Sequence, residues 1–166
     1  MVKYMTNLQS LFNIQGQTVV ITGGSGELGK PMAHALAQLG AQVAIVSLHA
    51  ASSSKVAAAI QAEGGHAIGI ACDVLDKSAL EQALAQVTAA FGPVDILINA
   101  AGGNKPQATT SADRTFFDLD SHAAESVFAL NFTGTFLGCQ VFGRGMAERG
   151  QGCIVNVASK IGRAHV

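Results

Sequence analysis

Tryptophan is absent from this chain, tyrosine occurs once, at Tyr4, and charged residues make up only 13% of the sequence. So few charges leave little to cover an outer surface, which points to contacts between subunits in a homo-oligomer. The net charge is −1, which argues against nucleic acid or an anionic membrane as the main partner. Three cysteines, Cys72, Cys139 and Cys153, form no C-x-x-C pair and lie in apolar surroundings. They read as reduced core residues of a cytosolic protein rather than a disulfide framework. His34, His49, His66, His122 and His165 have no metal-ligand spacing to each other or to cysteine, so no metal site is expected. The N-terminal residues contain no apolar signal-peptide core, and no run is long enough to span a bilayer. The expected location is the cytoplasm.

What is abundant is alanine, valine, isoleucine and glycine, with 49% hydrophobic residues and 19 glycines among 166 residues. That composition suits one domain, spanning 1–166, built on a parallel sheet buried on both faces. Strand and helix signals alternate along the chain. Strands are expected at 19–21, 43–47, 66–71, 94–99 and 153–157. Helices are expected at 30–39, 51–63, from about 78 to 91, and as one long stretch over 121–149. Asp76 or Ser78 can cap the third helix, Ser78-Ala79-Leu80-Glu81 having capping-box form. The polar loop over 100–120 is long enough to suggest a functional role. Repeated βα units imply right-handed crossovers and a doubly wound sheet, which binds ligands at the carboxyl ends of its strands.

Gly24-Ser25-Gly26-Glu27-Leu28-Gly29 falls at the first strand-to-helix junction and fits G-x-G-x-x-G. Glycines there permit a sharp turn and close approach to a pyrophosphate, whose charge the free N–H groups of the helix start can hold. The other strand ends carry Cys72-Asp73-Val74, Asn99-Ala100-Ala101-Gly102 and Ile154-Val155-Asn156-Val157-Ala158-Ser159, with Leu130-Asn131-Phe132-Thr133-Gly134 in the long helix. Together, and in this order, these motifs resemble the short-chain dehydrogenase/reductase family over nearly the whole chain. One departure is visible: in the family's T-G-x-x-x-G-x-G spacing, Glu27 stands where the second glycine would be, and Gly26 comes one place earlier.

The resemblance implies a Rossmann-type sheet with helices on both faces, a nicotinamide cofactor, and hydride transfer between it and a ketone or secondary alcohol. It places Gly23, Ser25, Gly26, Leu28 and Gly29 on the pyrophosphate, Asp73 and Val74 beside the adenine, and Asn99, Ala100 and Ala101 along the ribose. Asn131 would mark a helix kink and join a proton relay, and Ser159 would position the substrate carbonyl. Plainer readings stand beside these. The glycines could form a structural turn, Asp73 could cap a helix, and Asn99 and Ser159 could be ordinary strand-end residues. Asn131 could be a buried, satisfied amide. Cofactor choice falls to Ser47-Leu48-His49 at the end of the second strand. No acidic residue stands there to bind a ribose 2′-OH, so either NAD or NADP fits Ser47, and the missing acid leans toward NADP.

Residues 102–106, 108–110 and 116–120 resemble the D-mannonate oxidoreductase (fructuronate reductase) branch, which implies a sugar-acid ketone as the small-molecule substrate. The family's catalytic Tyr-x-x-x-Lys, however, has no counterpart, since Tyr4 is the only tyrosine. The chain is therefore expected to be the N-terminal portion of an oxidoreductase, its sheet ending after the fifth strand and inactive as it stands. A different class of function, a non-catalytic or vestigial nucleotide-binding domain, stays open.

Overall fold

The computed structural model describes residues 13–158. Five strands, β1 (Thr18–Thr22), β2 (Gln42–Ser47), β3 (His66–Ala71), β4 (Ile96–Asn99) and β5 (Cys153–Asn156), form one sheet in the order β3-β2-β1-β4-β5. Every pairing is parallel. The chain runs outward from β1 to β3 and then crosses back to β4, so the strand order reverses between β1 and β4. All carboxyl ends open on one side of this switch point.

Five α-helices lie among the described residues: α1 (Gly29–Gln38), α2 (Ala50–Ala62), α3 (Lys77–Phe91), α4 (Ser121–Phe128) and α5 (Gly134–Arg149). Alternation along the strands sorts the apolar side chains into two layers. Val19, Ile21, Val43 and Ile45 pack with Ala33, Val56 and Ile60 of α1 and α2. Val20, Val46 and Leu97 pack on the opposite face with Leu80 and Val87 of α3 and Phe142 of α5. Each fully buried aliphatic or aromatic side chain contributes about 1.5–3 kcal/mol of transfer free energy, so two such layers fix the sheet between its helices.

Two details depart from the sequence reading and one settles an alternative it left open, each for a local reason. Strand β4 begins at Ile96 rather than Val94, because the Asp95 carboxylate accepts the Thr18 N–H at 3.0 Å in place of a ladder bond. Helix α3 is capped by Asp76, whose Oδ1 accepts from the N–H groups of Ser78 (2.8 Å) and Ala79 (3.2 Å) and from the Ser78 hydroxyl. Ser78 is thereby drawn into the Asp76 cap and forms no box of its own. The Ser78 hydroxyl, with these two N–H groups, holds the Asp76 carboxyl below the usual carboxylate range. Finally, the long helix is broken by a π-turn at Ala129–Thr133, which separates α4 from α5.

Helix α2 lies unusually close to β3. A Cβ on Gly69 would stand 2.5 Å from the Ser53 carbonyl carbon and the Ser54 nitrogen, both backbone atoms that cannot step aside. Gly69→Ala is therefore expected to destabilise the fold by about 1–3 kcal/mol through overpacking. Urea denaturation followed by circular dichroism checks this, as a lower midpoint at unchanged slope.

Candidate functional site

The turn after β1 is shaped by two glycines. Gly23 adopts φ +67°, and a Cβ there would meet the backbone of Ala100 and Ala101 at 2.7 Å. At Gly29, the first residue of α1, a Cβ would lie 2.3 Å from the Gly23 oxygen. Only hydrogen at both positions lets α1 begin directly over the end of β1. The loop is then tied down by Gly26 N–H to Gly23 O (2.9 Å), Gly24 N–H to Val46 O (3.3 Å), and Ser25 N–H to Ser47 Oγ (3.2 Å). Helix α1 has no side-chain cap and no acidic residue in its first turn. Among the described residues, the N–H groups of Leu28 and Gly29 find no acceptor. These are the free donors and positive dipole end that suit an anion.

Above this loop lies a cleft of about 420 Å³, floored by the ends of β1 to β4, a size typical of ligand pockets. It gathers Gly23, Ser25, Gly26, Leu28, Gly29, Ser47, Asp73, Val74, Ala100 and Ala101. Thus every residue assigned to the cofactor by resemblance lines one cavity, except Asn99. The donor set and the glycine cradle fit a dinucleotide: an uncapped helix start for the pyrophosphate, a buried hydroxyl at Ser47, and small residues at Ala100 and Ala101. Asp73 spends one oxygen on the Leu75 N–H (2.9 Å) and does not cap α3, which is the work of Asp76.

Cleft electrostatics are acidic. Glu27 and Asp73 line it, His49 is its one basic side chain, and no lysine or arginine reaches it among the described residues. Cys72, also on the wall, has its thiol pushed up to about 11, first by burial and then by the charges of Asp73 and Asp76. It is an inert wall residue at neutral pH. Sequence reasoning did not assign Leu48, Ser52, Cys72, Gly102 and Leu130 to the site. Ser52 and Cys72 were within reach of it, in the first turn of α2 and one residue before Asp73.

Asn99 is placed elsewhere than the expected ribose wall. It is 2% exposed, and its Nδ2 donates to Asn156 Oδ1 at 2.9 Å, while Thr22 Oγ1 donates to its Oδ1 at 3.4 Å. The amide points into the sheet and joins the ends of β1, β4 and β5. Asn131 lies in the π-turn, as the expected kink requires, and its side chain is fully engaged. Its Nδ2 donates to Gly103 O (2.8 Å) and Val127 O (2.7 Å), and its Oδ1 accepts the Gly103 N–H (3.2 Å). It clamps the loop after β4 onto the helix. Ser159 lies outside the described residues. Of the two residues assigned to catalysis, the described structure therefore places only Asn131.

Comparison with known proteins agrees with this fold. The family model for short chain dehydrogenase matches residues 17–166. An uncharacterized oxidoreductase, UxuB, of Bacillus subtilis is 43% identical over 155 residues, covering 89% of this chain and 56% of that protein. The D-threitol dehydrogenase of Mycolicibacterium smegmatis is 37% identical, covering 94% of this chain and 59% of its own length. The chain thus spans little more than half the length of the curated relatives it matches. A Haemophilus influenzae protein provisionally assigned as a D-mannonate oxidoreductase, solved with NAD, superposes with TM-score 0.80 at 36% identity over 90% of this chain and 57% of that one. NAD-bound xylitol dehydrogenase gives TM-score 0.80 at 29% identity, over 88% of this chain and 54% of that one. Both of these solved proteins hold NAD, so the lean toward NADP drawn from the missing acid finds no support in them.

Gly29→Val is expected to abolish dinucleotide binding, because the side chain would drive α1 away from Gly23 and misdirect its N–H groups. Titration of the variant with NADH, followed by cofactor fluorescence alongside circular dichroism, checks it. A folded variant with unchanged affinity would contradict the assigned role of the turn.

Proposed function

This chain belongs to the short chain dehydrogenase family, and from that premise we propose that its cleft binds NAD for hydride exchange with a ketone or secondary alcohol of the sugar-acid class. The observation that carries the reading is the cavity at the β1–β4 switch point, with the uncapped start of α1 facing it. Bound there, the nicotinamide cofactor supplies the hydride acceptor or donor. The backbone N–H groups of Leu28 and Gly29 hold the pyrophosphate, Ser47 takes the adenosine ribose, and the free oxygen of Asp73 accepts from the adenine amino group. Asn131 holds the Gly102–Gly103 backbone at the edge where a substrate carbonyl would enter, and Ser159 would take the carbonyl-positioning role that the family resemblance gives its place in the sequence.

The preference for NAD over NADP rests on charge. A 2′-phosphate beside Ser47 would enter a cleft that Glu27 and Asp73 line, with no lysine or arginine among the described lining residues to offset them. NADH is expected to bind at least about tenfold more tightly than NADPH, about 1.4 kcal/mol. Ser47→Asp widens the ratio by placing a carboxylate at the ribose, and His49→Arg narrows it. Parallel fluorescence titrations of both cofactors measure this; a wild-type preference for NADPH would overturn it.

For the substrate, the support is the likeness of the 100–120 loop to the D-mannonate oxidoreductase branch, together with relatives that act on polyols or are assigned to sugar acids. Catalysis by these 166 residues alone is another matter. A positioned general acid is worth about 10²–10⁴ in rate, and the sequence has no tyrosine besides Tyr4. The chain is expected to bind NADH yet turn over D-fructuronate, D-mannonate with NAD, or D-threitol with NAD negligibly. Steady-state absorbance at the reduced nicotinamide band checks this, and robust turnover would show that another group supplies the proton.

A further inference from the structure

The segment between β4 and α4 leaves the cleft through Gly102 and then runs as a fixed arm. Gly102 lines the cavity, and a Cβ on it would stand 2.6 Å from Asn131 Oδ1. Gly103 is held by Asn131 at both its N–H and its carbonyl. Asn104 Oδ1 accepts the Lys105 N–H at 2.8 Å. The Lys105 carbonyl accepts from the Ala108 N–H and the Thr109 hydroxyl, both at 2.9 Å. The root of the Lys105 side chain is therefore set relative to the cleft wall, and the side chain itself is exposed.

The charges of this segment are Lys105, Asp113, Arg114, Asp118 and Asp120. Three of them hold the loop together. Arg114 Nη1 donates to the Pro106 carbonyl, Asp118 Oδ2 accepts from the Thr115 N–H and hydroxyl, and Asp120 caps α4 through the His122 N–H. The Lys105 ammonium has no ion pair and no acceptor among the described residues. It is the one cation of the segment not engaged in holding the loop.

We propose that Lys105 receives the carboxylate of the substrate and so sets a preference for a sugar acid over a neutral polyol. This rests on the reading of the cleft as the site of an NAD-dependent sugar-acid reaction. Glu27 and Asp73 line the cleft, and no lysine or arginine does among the described residues, so an anionic substrate needs a cation from beyond the lining. Three residues of extended chain from Gly102 reach at most about 11 Å, and the flexible four-carbon stem of lysine adds to that range. A terminal carboxylate can thus meet Lys105 at the edge while a hydroxyl-bearing carbon of the same molecule stays inside. Asn104 Nδ2, with no acceptor among the described residues, supplies a neutral donor beside the ammonium. A polyol has no charge to place there.

Amide chemical-shift titration of the 15N-labelled chain tests the proposal, with D-mannonate and D-mannitol as ligands, each with and without saturating NADH. Reduced cofactor and alcohol cannot react, so binding alone is read. Mannonate is expected to shift the amides of 102–105 and to bind at least about tenfold more tightly than mannitol, a hydrogen bond to a charged group being worth that much. Lys105→Met should reduce mannonate to the mannitol value, Lys105→Arg should retain the difference, and added salt should weaken mannonate alone; circular dichroism controls for folding. A wild-type chain without preference for the acid would overturn the proposal, as would a folded Lys105→Met that binds mannonate as tightly as wild type. The cofactor reading fails separately, as an NADH titration without response. Lys105-dependent selection of the acid in such a chain would still support the carboxylate anchor.

Discussion

The contact between Gly29 and Gly23 is the constraint on which the rest of the site depends. With only hydrogens between them, α1 starts where the β1 backbone ends, and Leu28 and Gly29 at its start line the cleft. The Gly23 turn in turn brings the β1 loop against Ala100 and Ala101, so the ends of β1 and β4 meet as the cleft floor. The Ser25–Ser47 bond ties the same loop to β2. One close backbone approach thus sets the position of the anion donors, the ribose hydroxyl and the small-residue wall together.

A buried amide network supports that arrangement from beneath. Asn99 spans Thr22 and Asn156, and a Cβ on Gly138 of α5 would stand 2.5 Å from its Oδ1. Three strand ends and one helix are therefore held against a single side chain, which buried polar groups require in order to stay satisfied. No buried side-chain polar atom among the described residues is left without a partner. Asn131 does for the β4 loop what Asn99 does for the strand ends: it replaces a floating backbone segment by two bonds to Gly103.

Much of this was legible in the sequence because the signals were local. A β-branched run, a glycine turn and an uncapped helix start lie within residues 18–38, and repeated βα spacing implies the doubly wound parallel sheet. What was not legible depended on orientation. Asn99 occupies the strand-end position where a side chain can face the ligand or the interior, and only the packing of α5 against it decides for the interior. The Asp76 cap won over the Ser78 box because one carboxylate serves two N–H groups and the hydroxyl at once. The start of β4 was misplaced because a side-chain oxygen of Asp95 stands in for a ladder carbonyl.

The most direct test of the account is hydrogen exchange of the backbone amides with and without saturating NADH. The expected result is slowed exchange at Leu28 and Gly29, whose N–H groups find no acceptor within the described residues, together with protection at 73–74 and 100–102 around the cleft. Exchange at those amides unchanged by NADH in folded protein, or protection confined to another part of the molecule, would contradict the claim that this glycine-shaped helix start is a dinucleotide site.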